Sequence, residues 1–306
     1  MSRQRCNRQR CVMDDFTDRI AFITGGASGI GLALARAFSS AGANLVLADI
    51  NGPRLEEVVL KFNRDGTEAL GVELNVADIE SWKSARAQTE DRFGGIDILC
   101  NNAGVAPANL PFEQISDEDW NWIVGVNLNG IRNGIATWLP AMKRAGRPGH
   151  IINTASVLGL FATANAADYV ACKYAVVGMS EALHMELSDT LIEVSVICPG
   201  FVETPLAADR EVHKRLSGIV STLSREPSSR IGDRAALLPD RLGTDVLNAL
   251  RSRQFLILPQ PEYARVIDSK YGRIRREYGL CDATGEDVAA LGGGELGWHS
   301  GPSRPR

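Results

Sequence analysis

From Arg19 to about Pro259 this chain alternates short, continuous apolar runs with longer stretches whose apolar residues recur at helical spacing. Arg19–Thr24, Asn44–Asp49, Ala69–Asn75, Ile96–Asn101, His150–Ala155, Ile192–Cys198 and Gln254–Leu258 read as strands. Gly29–Ala41, Pro53–Asn63, Ile79–Phe93, Glu118–Arg144, Asp168–Asp189 and a shorter stretch near Thr244–Ser252 read as helices. Strand then helix, repeated, predicts parallel strands joined by crossovers that cover both faces of one sheet. The strand runs are apolar throughout rather than alternating, as a sheet buried on both sides requires. The predicted fold class is α/β, a doubly wound parallel sheet of about seven strands in a single domain. Ligands of such sheets bind beyond the carboxyl ends of the strands.

A chain of 306 residues that is 44% hydrophobic can bury one large core. Its formal charge of −4 argues against nucleic acid as the main partner. No run approaches the roughly 18 apolar residues that cross a bilayer, and no secretory segment precedes the first strand, so a soluble, cytoplasmic protein is expected. Cys6, Cys11, Cys100, Cys172, Cys198 and Cys281 form no CxxC pair; Cys100, Cys172 and Cys198 read as buried thiols. His150, His184, His213 and His299 lack ligand spacing, so no metal site is expected and each histidine reads as a surface or capping residue. Residues 1–13 read as a disordered basic arm, with Met13 a candidate natural start. Residues 14–284 read as the folded domain, and 285–306 as a flexible tail. Within the domain, the long polar stretch at about 205–242 reads as a lid over a substrate, with Phe161, Leu206, Leu216 and Ile219 as candidate lining residues. A C-terminal helix is expected over about 262–278.

The motifs fall at the carboxyl ends of the predicted strands. Gly25, Gly29 and Gly31, in TGGASGIG, lie between the first strand and the first helix. Glycines there let the backbone approach a pyrophosphate seated on the helix N-terminus, with Ser28 and Ile30 offering further contacts. Asp49 ends the second strand, eighteen residues past Gly31. A carboxylate at that place bonds the adenosine ribose hydroxyls and repels a 2′-phosphate, which predicts NAD rather than NADP. No arginine directly follows it; Arg54 is five residues on. Asn75 and Val76 end the third strand, where adenine should lie, and Asn102, Ala103 and Gly104 follow the fourth with Asn101. Pro199, Gly200, Val202 and Thr204 follow the sixth strand; the proline and glycine open a nicotinamide pocket and Thr204 is placed to bond a carboxamide.

The expected catalytic group is Asn127, Ser156, Tyr169 and Lys173. Tyr169 and Lys173 are four apart and share a helix face. An ammonium beside a phenol favours the phenolate and is expected to lower the tyrosine pKa toward working pH, as a general base needs. Ser156 is expected to hold the substrate oxygen. Asn127, an unfavoured residue inside a helix, is expected to hold a water in line with Lys173, with Asn129 competing for that assignment.

Taken together, TGGASGIG, NNAG, Asn127, Ser156, Tyr169 with Lys173, and PGFVET resemble the short-chain dehydrogenase/reductase family over about Asp15–Pro259. The resemblance implies a Rossmann-type fold, NAD(P)-dependent interconversion of an alcohol and a carbonyl, and a homodimer or homotetramer built on the two long helices. It implies that Tyr169 and Lys173 also touch the cofactor. Asn75 stands where the family more often has Asp, and the Asp-Gly-Gly that usually follows the last strand is missing. The actual ending, with DWNWIVGVNLNGIRNGIATWLPAMKRAGRPGHI, is similar to a subgroup that includes bacterial Cα-dehydrogenases of lignin-type aryl ethers, which implies a bulky, partly aromatic secondary alcohol as the small-molecule substrate. A carbonyl reductase working mainly in the reductive direction is the alternative enzyme reading. A catalytically idle NAD-binding sensor is the alternative outside enzymes, and it would be free to lose Tyr169 or Lys173, both of which are present.

Overall fold

The computed structural model describes residues 15–218 and 236–277. The basic arm, Met13, Cys6, Cys11, Cys281, His299, Ile219, the middle of the 205–242 stretch and the 285–306 tail lie outside the described residues.

Seven parallel strands form one sheet: β1 (Ile20–Thr24), β2 (Asn44–Asp49), β3 (Ala69–Glu73), β4 (Ile98–Asn101), β5 (Gly149–Thr154), β6 (Ile192–Ile197) and β7 (Leu256–Ile257). Their order across the sheet is β3-β2-β1-β4-β5-β6-β7. The order reverses between β1 and β4, and such a switch point opens the crevice where doubly wound sheets bind ligands. β1, β4 and β5 are buried along their whole length, which accounts for their unbroken apolar runs.

The sheet separates two hydrophobic cores. On one side α1 (Gly29–Ser40) and α8 (Pro239–Arg251) bring Leu34, Phe38, Leu242 and Val246 against Ile23 and Ile197. These two helices meet closely because Gly243 lacks a side chain; a Cβ there would lie 2.6 Å from the Ala33 carbonyl oxygen. On the other side lie α3 (Ile79–Phe93), α5 (Gly130–Ala145) and α6 (Ala167–Glu186). There Phe22 stacks on Trp82 at 5.7 Å and meets Trp138 at 5.6 Å. Truncating either fully buried tryptophan to alanine removes about 3–5 kcal/mol. α2 (Gly52–Arg64) begins where the Asn51 side chain accepts from the Arg54 amide, with Pro53 in its first turn. α4 (Asp117–Val124) is capped by Ser116 and carries three acids in its first turn, which the helix dipole favours.

Several predicted boundaries move. The helical stretch Glu118–Arg144 is two helices, α4 and α5, joined by a π-helical turn at Gly125–Asn129. The last strand is two residues, Leu256–Ile257, rather than Gln254–Leu258. The helix expected near Thr244 starts at Pro239, so the end of the 205–242 stretch is core: Leu242 is fully buried. The front of that stretch holds a short helix, α7 (Arg210–Leu216), and Leu216 is exposed. His150 is the reverse of the expected surface residue. It is buried, its Nε2 pairs with Ser195 Oγ at 2.9 Å, and desolvation pushes its pKa down to about 3. Cys100, Cys172 and Cys198 are buried free thiols.

The unit containing the sheet ends at Pro259. A second begins at Gln260, with a 3-10 turn at Pro261–Tyr263 and α9 (Ala264–Glu277). No helix among the described residues is long and apolar enough to cross a membrane.

Candidate active site

The crevice at the switch point is built from backbone first. Gly25 takes a left-handed φ of +66°, and a Cβ on it would lie 3.1 Å from Ala103 Cα. A Cβ on Gly31 would run into the Gly25 carbonyl, so the turn exists only with glycine there. Thr204 packs over Gly29, 3.2 Å from where a Cβ would stand. The segment after β6 therefore roofs the glycine turn. Ser28 precedes α1 without capping it, and the first turn of α1 holds no acidic residue. The leading amides of Gly29, Ile30 and Gly31 are thus left for an anion, and the cradle fits a dinucleotide pyrophosphate.

Thr24 ties the two sides of the crevice together. Its hydroxyl accepts from the amides of Asn102 and Ala103, each at 2.9 Å, while Asn102 Nδ2 donates to the Thr24 carbonyl at 3.0 Å. Behind it, Asn101 Nδ2 donates to Asn153 Oδ1 at 2.9 Å and Asn153 Nδ2 donates to Ser180 Oγ at 3.0 Å. This buried chain of amides sets β4 and β5 against α6, the helix that carries Tyr169 and Lys173.

Asp49 is buried, accepting from the amides of Ala27 at 3.1 Å and Asn51 at 3.0 Å. Each carboxylate oxygen keeps a second lone pair for a ribose hydroxyl. Asn75 lies past the end of β3, and its side chain accepts from the Ala77 amide at 3.1 Å, shaping the turn into α3. The Val76 carbonyl accepts from Trp82 Nε1 and Asn133 Nδ2. Gly104 leaves a gap between Asn127 and Lys173: a Cβ on it would stand 2.8 Å from Asn127 Oδ1 and 3.9 Å from Lys173 Nζ. Val202 pairs with Leu237 through the bonds of its neighbours Glu203 and Phe201, so its own amide points away from that bridge. The Pro199 carbonyl accepts from the Val157 amide at 2.9 Å and from Ser156 Oγ at 3.4 Å, holding Pro199 and Gly200 beside the serine.

Ser156, Tyr169 and Lys173 converge. Ser156 stands beside the Tyr169 phenol and works to lower its pKa, and Lys173 Nζ lies 5.3 Å from the Tyr169 ring centroid while donating to the Thr154 carbonyl at 3.0 Å. One expectation is corrected here. Burial pushes Tyr169 up to about 12; the Ser156 hydroxyl opposes this, and the lysine does not overcome it. The same burial drives Lys173 down to about 8. Asn127 is tied to the neighbouring loop: its Oδ1 accepts from the Val105 amide and its Nδ2 donates to the Val105 carbonyl, both at 3.0 Å, which shapes the loop beside Lys173 and leaves one lone pair and one N–H of the side chain over.

Sequence reasoning missed Thr24 and Thr154 as ties, although both stand at strand ends and Thr24 opens TGGASGIG. It also missed a charge cluster around α7. Buried Asp119 binds Arg210 at 2.9 Å and also Lys214, and both cations lie over the Trp122 ring, at 5.1 and 5.5 Å. Asp209 binds Arg54 at 2.6 Å. Nothing local in the sequence pairs these residues. Phe161 and Leu206, predicted to line the pocket, are each partly buried.

Comparison with known proteins agrees with this geometry. Residues 19–215 match the family model described as short chain dehydrogenase. The chain is 33% identical over 265 residues to the C alpha-dehydrogenase of Sphingobium sp. strain SYK-6, covering 86% of this chain and 87% of that protein. It is 40% identical over 191 residues to the 2,5-dichloro-2,5-cyclohexadiene-1,4-diol dehydrogenase LinX of Sphingobium indicum, covering 62% of this chain and 76% of that protein. A short chain dehydrogenase/reductase from Burkholderia phymatum, solved in complex with NAD, superposes with a TM-score of 0.79 at 30% identity, covering 86% of this chain and 96% of that one.

Proposed function

The chain belongs to the short-chain dehydrogenase family, and we propose that within it the protein is an NAD-dependent dehydrogenase of a bulky, cyclic or aromatic secondary alcohol. The observation that carries this reading is the meeting of Ser156, Tyr169 and Lys173 beside a glycine cradle with an uncapped helix N-terminus. Asp49 supports NAD over NADP, since its buried carboxylate lies at the β2 end where a 2′-phosphate would bring like charge. The relatives named above, which by their names act on a Cα position and a cyclohexadiene diol, support the substrate class.

A dinucleotide held by the Gly25–Gly31 turn and Asp49 would supply the hydride acceptor for the carbinol carbon. The protein's part is to hold the alcohol and move its proton. Ser156 Oγ and the Tyr169 phenol stand side by side, where together they can hold a substrate oxygen. With the oxidised nicotinamide bound, its positive charge would add to the Lys173 ammonium in favouring the Tyr169 phenolate against burial, and Tyr169 then accepts the hydroxyl proton. Lys173, with a pKa near 8, can lose its proton to solvent and then take the one Tyr169 has received, which restores ammonium and phenolate together. The Thr154 carbonyl fixes Nζ, and Asn127 fixes the loop across from it through Val105. Family resemblance also supports a cytoplasmic homodimer or homotetramer.

The test is NAD⁺ reduction at 340 nm across secondary alcohols graded from small aliphatic to bulky benzylic, with NADP⁺ in parallel. Turnover of the bulky members with NAD⁺ is expected. Preference for NADP⁺, or for small aliphatic alcohols, overturns the corresponding half of the proposal.

A further inference from the structure

At the adenosine end of the crevice the charge balance is set by a residue far along the chain. Arg54 is the third residue of α2, in the helix's first turn and five residues past Asp49. Helix N-terminus and guanidinium are both anion attractors. Left to themselves they would welcome a 2′-phosphate and work against Asp49. They are not left so. Asp209, just before α7, places Oδ2 2.6 Å from Arg54 Nη1. Asp209 is mostly buried, and α7 is held by Asp119 and Trp122 through Arg210 and Lys214, so this pairing is anchored from a second side.

His213, one turn along α7, lies within the electrostatic reach of Asp49, Asp209 and Arg54 together. Its Nδ1 is buried and has no partner within the protein. Burial lowers its pKa, so it is neutral at pH 7. The space between β2, α2 and α7 thus holds two carboxylates, one guanidinium and one unsatisfied neutral imidazole nitrogen. The formal sum is −1, and the nitrogen suits an uncharged hydroxyl.

We propose that Asp209 is a specificity-determining residue for the cofactor: by occupying Arg54 it denies that cation to a 2′-phosphate, so discrimination against NADP is shared between Asp49 and Asp209. This rests on the NAD reading above. A 2′-phosphate entering here would have to displace Asp209 from Arg54 and lie close to two carboxylates. Removing the Asp209 charge frees a guanidinium that can bind phosphate in two-pronged fashion.

The experiment measures dissociation constants of NADH and NADPH by fluorescence titration, without turnover, for wild type, Asp209→Asn, Arg54→Gln and the double variant. A charge-assisted hydrogen bond is worth a factor of about ten or more; because Arg54 is partly solvated, the expected fall in the NADPH-to-NADH ratio for Asp209→Asn is about tenfold. The double variant loses that gain. Arg54→Gln alone keeps the ratio at or above the wild-type value, because the guanidinium is already taken and its loss leaves Asp209 uncompensated. If wild type binds NADPH as tightly as NADH, the NAD reading itself fails. If wild type prefers NADH and Asp209→Asn leaves the ratio in place, only the inference fails. A gain that survives in the double variant, or a fall in the ratio for Arg54→Gln alone, also overturns it.

Discussion

Replacing Lys173 by methionine should abolish the chemistry while leaving the fold as stable as before or more so. The ammonium is buried, and its pKa falls from 10.5 to about 8. Keeping it charged at neutral pH therefore costs about 3 kcal/mol relative to the unfolded chain. Against this, the charged group makes one hydrogen bond, to the Thr154 carbonyl, whose loss costs about 1–3 kcal/mol. Methionine is of similar length and removes both contributions, so Lys173→Met is expected to be about 0–2 kcal/mol more stable at pH 6.5. The pH dependence has a definite sign. Because the folded value lies below the unfolded one, the folded protein binds fewer protons between about 8 and 10.5. The penalty is full below pH 8 and fades as pH rises toward 10.5. Between pH 6.5 and 9.5 the wild type should gain about 2 kcal/mol on the variant. Tyr169 contributes little in this window, since it titrates near 12 when folded. Urea denaturation of both proteins at the two pH values measures the difference, while turnover should fall at least about a hundredfold. A stability difference that stays constant with pH would refute the reasoning, as would a variant more than about 2 kcal/mol weaker at pH 6.5.

Two further substitutions probe the cradle and its support. Gly31→Ala places a Cβ against the Gly25 carbonyl, so NADH affinity should fall at least about tenfold by fluorescence titration, and unchanged affinity would show that the turn is not the pyrophosphate seat. Asn127→Ala leaves the Val105 amide and carbonyl without partners, which should cost about 2–4 kcal/mol in urea denaturation; a loss below about 0.5 kcal/mol would mean that the loop is held by other contacts.

Much of this molecule was legible because parallel sheets impose their pattern locally. β1 and β2 ran as nearly continuous apolar segments, and the motif residues stood at the strand ends where the switch point gathers them. The glycine turn, Asn102, Ser156, Tyr169 and Lys173, singled out by spacing and resemblance, lie in the same crevice. What escaped was set at long range or by small energies. The π turn at Gly125–Asn129 keeps both flanks helical, so the apolar spacing gives no warning of it. β7 is short because only Leu256 and Ile257 reach β6, a matter of register rather than composition. The start of α8 was hidden because Pro239 reads as a loop residue, yet proline suits a first helical turn. His150 looked like an ordinary polar residue until Ser195, from the neighbouring strand, was seen to satisfy it. The pairing of Arg54 with Asp209 spans 155 positions and leaves no periodic trace. The tyrosine pKa was misjudged because neighbouring charge is visible in an i, i+4 spacing whereas depth of burial is not.

The central claim is that Tyr169 moves the substrate proton. The most direct measurement is the turnover of Tyr169→Phe with NAD⁺ and a bulky secondary alcohol, read at 340 nm beside an NADH titration of the same protein. The account predicts a loss of at least about a hundredfold in turnover with NADH still bound, since the phenol oxygen alone is removed. Turnover near the wild-type rate would contradict it.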